Sequence, residues 1–237
     1  MAKHKDVPQA EHPAEVVGNI VLEGCVDNPA ALVIMLPGRG MDARECLYIA
    51  SSFRVPNCLL AGISPVPQGF YPPPKSSLEQ DDTVEFLPKA ARQVGQAVSQ
   101  IVHDFRIPWA KVACIGFSAG GVMTYELAMV VPIHAGVILS GAVLEPRRLT
   151  PPVDSMSNYL VVHHSHDNVF DWKERYIPTK LALQRMGWRA RFIEEFGGHT
   201  VYPQQLPEIG DFIRIALGFP PEDDPDDMVR IQKPKKA

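Results

Sequence analysis

The sequence is poor in cysteine, in long apolar runs and in positive charge. Its four cysteines, Cys25, Cys46, Cys58 and Cys114, follow no zinc-ligand or redox spacing. They are also too sparse for a disulfide framework in a chain of 237 residues. Cys114 sits inside an apolar run and reads as a small core residue. No run approaches the roughly 18 consecutive apolar residues of a membrane-spanning helix. The opening segment MAKHKDVPQAEHPAE lacks the apolar centre of a secretory signal. A reducing, cytoplasmic setting is the expectation. Lysine and arginine number 23 against 27 acidic residues, a formal net charge of −4. Such a balance offers no basic stripe for nucleic acid. Internal repeats are absent.

Core material is plentiful. Apolar residues make up 46% of the chain, enough to bury a sizeable interior. Residues 1–15, polar and carrying Pro8 and Pro13, are expected to be a flexible leader. Residues 222–237, EDDPDDMVRIQKPKKA, run acidic and then basic. They are expected to be a mobile tail, with a docking role as the alternative. A single domain is expected over 16–221.

Within that span, short apolar runs alternate with helical patterns. EVVGNIVLEG reads as a first strand, and AALVIMLPG (30–38) as a strand buried on both faces and closed by Pro37-Gly38. Further strands are expected at 57–64, 111–117, 135–141, 158–164 and 190–196. Helices are expected at roughly 42–53, 79–105, 119–131, 172–186 and 207–217. The longest carries Val84, Leu87, Ala91, Val94, Val98, Ile101 and Val102, mostly in three- and four-residue steps, which build one apolar face. Strand-helix alternation predicts a parallel sheet with helices on both faces. In such sheets ligands bind beyond the carboxyl ends of the strands.

The residues just past those ends are therefore the informative ones. CIGFSAGG (114–121) places Ser118 in a G-x-S-x-G pattern between a strand and a helix. The pattern alone arises by chance in about one chain of this length in twelve at average composition. Its setting matters more: a nucleophile elbow needs a strand, a sharp glycine-flanked turn and a helix, all present here. The alternative is a serine that caps the helix. A serine hydroxyl needs a base, and imidazole suits that task near neutral pH. His199 follows Gly197-Gly198 late in the chain, consistent with the order Ser, Asp, His on this kind of sheet. His103 and His134 read as surface or packing residues. Asp167, just past the strand at 158–164, is the preferred acid to orient the imidazole. Asp154 precedes that strand and Asp171 lies further out; both remain rivals. The run HHSHD (163–167) also invites a metal reading. Adjacent strand residues His163 and His164 point to opposite faces, which argues against it. His164 and His166 read as polar loop residues near the site. An oxyanion needs backbone N–H donors. Ala119, after the nucleophile, is one source, and the LPGRG loop supplies another.

Taken together, LPGRG, GFSAGG, LSG at Leu139–Gly141, HHSHD and GGH resemble, in order, the motifs of the phospholipase/carboxylesterase branch of the α/β-hydrolases. That branch includes acyl-protein thioesterases, and the likeness spans roughly residues 30–217. The resemblance implies an α/β-hydrolase fold, a mostly parallel central sheet with helices on both faces. It implies Ser118 as nucleophile, Asp167 as orienting acid, His199 as base, and Arg39 and Ala119 as oxyanion donors, with no cofactor. The implied partner is a small-molecule ester or acyl substrate, with no nucleic acid and no membrane span; a homodimer is compatible with the sequence. Departures from the family pattern are Pro37 for a histidine, Ala119 for a glutamine and His164 for a glycine. Phe170 is expected to line the acyl pocket, and Phe70 and Tyr71, in a proline-stiffened segment over the site, to shape specificity. Lysophospholipase, peptidase and polyester-cleaving activities on the same fold are alternatives, as are a non-catalytic ligand-binding homologue and a partner-recruiting protein that acts through its tails.

Overall fold

A computed structural model describes residues 17–65, 69–72 and 81–221, the side chains of 81–84 excepted. The expected leader and charged tail lie outside the described residues. Among those described, seven strands form one sheet: β1 (Val17–Gly24), β2 (Ala31–Leu36), β3 (Cys58–Pro65), β4 (Val112–Phe117), β5 (Ala135–Leu139), β6 (Asn158–His164) and β7 (Ala190–Glu195). Their spatial order is β1-β3-β2-β4-β5-β6-β7. All pairs are parallel except β1 with β3. Only a six-residue link separates β1 from β2, too short for a parallel crossover. β1 instead becomes an antiparallel, mostly exposed edge.

The central strands are apolar at every position because both faces are covered. Along β2, Leu32, Ile34 and Leu36 face one core and Ala31, Val33 and Met35 the other. The first core is closed by α2 (Asp81–Asp104), α3 (Ala119–Ala128) and α4 (Ile177–Arg185), the second by α1 (Ala43–Ser51) and α5 (Leu206–Ala216). Helix α2 buries the expected stripe from Leu87 to Ile101. Helix α3 has no polar face because every one of its residues is buried. Pro178 accounts for a difference from expectation. It has no N–H to continue a helix across 172–186, so a π-helical turn at Trp172–Tyr176 hands over to α4.

Helix α3 meets the end of β2 at very close range. A Cβ on Gly120 would overlap the Leu36 carbonyl oxygen and come within 2.8 Å of the Pro37 oxygen. Gly120→Ala is expected to destabilise the fold by at least about 1–3 kcal/mol, the usual cost of overpacking. A lowered urea midpoint at unchanged slope would show it.

Candidate active site

Strand β4 turns into α3 through Ser118 alone. Its backbone is left-handed (φ 54°, ψ −114°), rare for a residue with a Cβ. The Ser118 N–H donates to the Leu139 carbonyl at 2.9 Å, fixing the turn to the end of β5. A Cβ on Gly116 would strike the Gly120 carbonyl, so the turn also requires glycine there. Ser118 occupies the cap position of α3, yet its side chain makes no capping bond. Its Oγ lies 2.8 Å from His199 Nε2.

His199 is held by its loop. The Tyr202 hydroxyl accepts from the Gly198 N–H at 2.9 Å, and the Gly197 carbonyl accepts from the His166 N–H at 2.8 Å. The imidazole is packed 5.1 Å from the Phe117 ring and 6.0 Å from the Phe170 ring, leaving its side chain 14% exposed. Its Nδ1 lies 2.8 Å from Asp167 Oδ2. With a carboxylate on Nδ1, that nitrogen carries the proton and Nε2 faces the serine as acceptor.

Asp167 is fully buried at its side chain. Burial alone would raise its pKa, but the His199 bond and the Phe170 and Val169 N–H donors outweigh it, and the carboxyl titrates below its ordinary value. Both N–H groups reach Oδ1 at 2.8 Å. The rivals are engaged elsewhere. Asp154 pairs with His134 at 2.7 Å before β6, and Asp171 caps the π-helical turn through the Lys173 and Glu174 N–H groups.

His164 is not a loop residue; with His163 it closes β6, and both are buried. His163 Nε2 donates to the Phe170 carbonyl at 2.8 Å, pinning the turn that supplies Asp167's donors. Its ring stacks on Tyr176 at 4.5 Å. His164 points the other way, against Tyr202 and Gln205. Burial lowers the pKa of both histidines. His166 is the exposed member of the run, beside Phe196. Among the described residues, no three His, Cys, Asp or Glu side chains cluster as a metal site. No described helix is long and apolar enough to cross a membrane.

Ala119 opens α3, where first-turn N–H groups have no carbonyl four residues back. Arg39 lies in the turn after β2, closed by the Met41 N–H on the Gly38 carbonyl at 3.2 Å. Its guanidinium is not simply solvated: Nη2 donates to the Tyr71 carbonyl at 2.9 Å and the group lies 5.4 Å from the Tyr71 ring centre. This tie between the turn and residues 69–72 has no counterpart in the sequence reading. Phe70 has no exposed surface, and Tyr71 is nearly as buried. An apolar pocket of about 190 Å³ borders Phe117, Met41 and Thr200; Phe70, Tyr71 and Phe170 are not among its walls.

The histidine environment sets a pH dependence. Folded His163 and His164 resist protonation, whereas in the unfolded chain they titrate near 6.5. Their contribution to stability is complete above about pH 6.5 and declines as pH falls below it. Asp167, shifted down, adds a separate loss that begins below its unfolded value of about 3.9. Urea midpoints measured between about pH 8 and 5 are expected to fall more steeply for the wild type than for His163→Phe.

A family model described as phospholipase/carboxylesterase matches residues 74–217, more than half of the chain. No curated protein sequence matches significantly. Several solved structures share the architecture. Esterase PE8 superposes with a TM-score of 0.72 at 19% identity, covering 86% of this chain and 100% of that one. Acyl-protein thioesterase 2 from Zea mays gives 0.69 at 19%, covering 85% and 100%. The Bacillus cereus carboxylesterase gives 0.70 at 13%, covering 83% and 93%. At such identities the structural likeness establishes the α/β-hydrolase fold, and the family assignment rests on the sequence match. The chain belongs to the phospholipase/carboxylesterase family of hydrolases.

Proposed function

We propose that the protein cleaves carboxylic esters or thioesters through a covalent acyl-enzyme, with Ser118 as nucleophile, His199 as general base and Asp167 as orienting acid. The observation that supports this reading is the unbroken hydrogen-bond chain from Ser118 Oγ through both nitrogens of His199 to Asp167 Oδ2, each link 2.8 Å. Ser118 Oγ attacks the carbonyl carbon while His199 Nε2 takes its proton. The negative charge that develops on the carbonyl oxygen is met by the N–H groups of Ala119 and Arg39. Asp167 stabilises the imidazolium without taking its proton. As the intermediate collapses, Nε2 protonates the departing alcohol or thiol. Water, activated by the same nitrogen, then attacks the acyl-enzyme and releases the acid. Phe170, against the imidazole, forms part of the acyl side, with Tyr71 and Phe70 shaping that side from their buried positions.

The test is hydrolysis of p-nitrophenyl esters together with fluorophosphonate labelling. Ser118→Ala and His199→Ala are expected to lower kcat by a factor on the order of 10⁴ or more. Asp167→Asn is expected to cost a comparable factor with binding little changed. The probe should label Ser118. Retained turnover in Ser118→Ala, or labelling of a different residue, would refute the assignment.

A further inference from the structure

We propose that the apolar pocket beside His199 receives the leaving group of the substrate, an uncharged alcohol with a chain or ring of about six carbons. The inference rests on the Ser118 acyl-enzyme reading above.

The pocket is defined by its neighbours. One wall is Phe117, which directly precedes Ser118 and lies against the His199 ring. Another is Thr200 and Val201, which directly follow His199. A third is Met41, from the turn that carries Arg39. Cys46 and Ile49 of α1 line it from the second core. Met35 and Leu36 of β2 and Leu139 of β5 complete the lining, so the cavity reaches from the loops after β2 and β7 down to the strand ends.

Stereochemistry then selects the occupant. The leaving oxygen must face His199 Nε2, because that nitrogen protonates it. The carbonyl oxygen must face the N–H groups of Arg39 and Ala119. A substituent on the leaving oxygen turned toward Phe117 and Thr200, which adjoin Ser118 and His199 in sequence, enters this pocket. The acyl chain takes the remaining direction from the carbonyl carbon. Phe170, carried by the acid's turn, is outside the pocket walls.

The lining sets the chemical class. Its walls are aliphatic, aromatic and sulfur-bearing, with the Thr200 hydroxyl as the polar side chain. No charged side chain is among them. A phosphate-bearing or zwitterionic leaving group would lose its hydration there without a counter-charge. Burial pushes the Cys46 thiol up to about 12, so that wall stays neutral. At about 190 Å³ the pocket exceeds the roughly 150 Å³ of an apolar cavity that holds benzene. Acylation of Ser118 breaks the bond from the carbonyl carbon to the leaving oxygen, His199 Nε2 gives that oxygen its proton, and the neutral alcohol leaves through the pocket before water attacks the acyl-enzyme.

The experiment uses two ester series on the full chain. One keeps acetate as the acyl group and varies the alcohol through methyl, butyl, hexyl and benzyl. The other keeps methanol and lengthens the acid from acetate to octanoate. The ratio of kcat/KM for benzyl over methyl acetate is expected to be about tenfold or more. Ile49→Trp, which fills the pocket from a half-buried position on α1, should collapse that ratio toward one. Ile49→Ala, which enlarges the pocket, should shift the preference toward longer alcohols. If Ile49→Trp leaves the ratio intact, or if only the acid series responds, the leaving-group assignment is wrong while Ser118 chemistry stands. If no ester is hydrolysed and fluorophosphonate does not label Ser118, the acyl-enzyme reading itself fails and takes this assignment with it.

Discussion

The left-handed backbone at Ser118 is the constraint on which the site depends. A non-glycine residue in such a conformation costs on the order of 1–3 kcal/mol, and surrounding structure must hold it. Three features do so. The Ser118 N–H is bound to the end of β5. Gly116 and Gly120 let the backbone approach itself and β2 at distances no Cβ permits. Helix α3 is buried along its whole length, so it cannot swing to relieve the turn. The sharp reversal also keeps the hydroxyl from capping α3. It is held instead against His199.

The acid half of the site is organised by a different balance. A buried carboxyl would ordinarily hold its proton. Asp167 stays anionic because two backbone N–H groups and one imidazole N–H converge on it. His163 maintains that convergence through the Phe170 carbonyl. Its neutrality is useful in itself. Nε2 of His163 lies 3.9 Å from Asp167 Oδ2, and a charged ring there would compete with His199 for the same oxygen. Burial against Tyr176 keeps it uncharged.

How much of this was legible in the sequence follows from the range of each contact. The seven apolar runs and five helical stretches were readable because they are local patterns. Ser118, Asp167 and His199 stood out because each lies within four residues of the end of a strand, Ser118 directly after β4 and the other two in the turns after β6 and β7. The antiparallel sense of β1 follows from its short link to β2, but its place beside β3 depends on which edge of the sheet is free, and sequence order does not give that. Pro178 was visible in the sequence, but that the turn before it would be π-helical and capped by Asp171 was not. The strand end at His163 and His164 was readable, but His164 still looked like a polar loop residue because histidine is a polar letter; partners supplied by Phe170 and Gln205 make both histidines core residues. The Arg39–Tyr71 tie joins residues 32 positions apart and leaves no mark on either neighbourhood.

The pocket shows how local and distant signals combine. Helix α1 begins immediately after the turn that carries Arg39 with a reciprocal capping box: Asp42 accepts from the first turn, and Glu45 accepts from the Asp42 N–H at 3.1 Å. That box sets where the helix starts, and the start sets its phase. Cys46 and Ile49, three residues apart, then share one face and line the same cavity. Other walls come from Phe117, Thr200 and Val201, beside Ser118 and His199 in sequence. Met35, Leu36 and Leu139 complete the lining from the buried strands β2 and β5, so the half-buried Ile49 of α1 is the wall that can change size with least disturbance to the sheet.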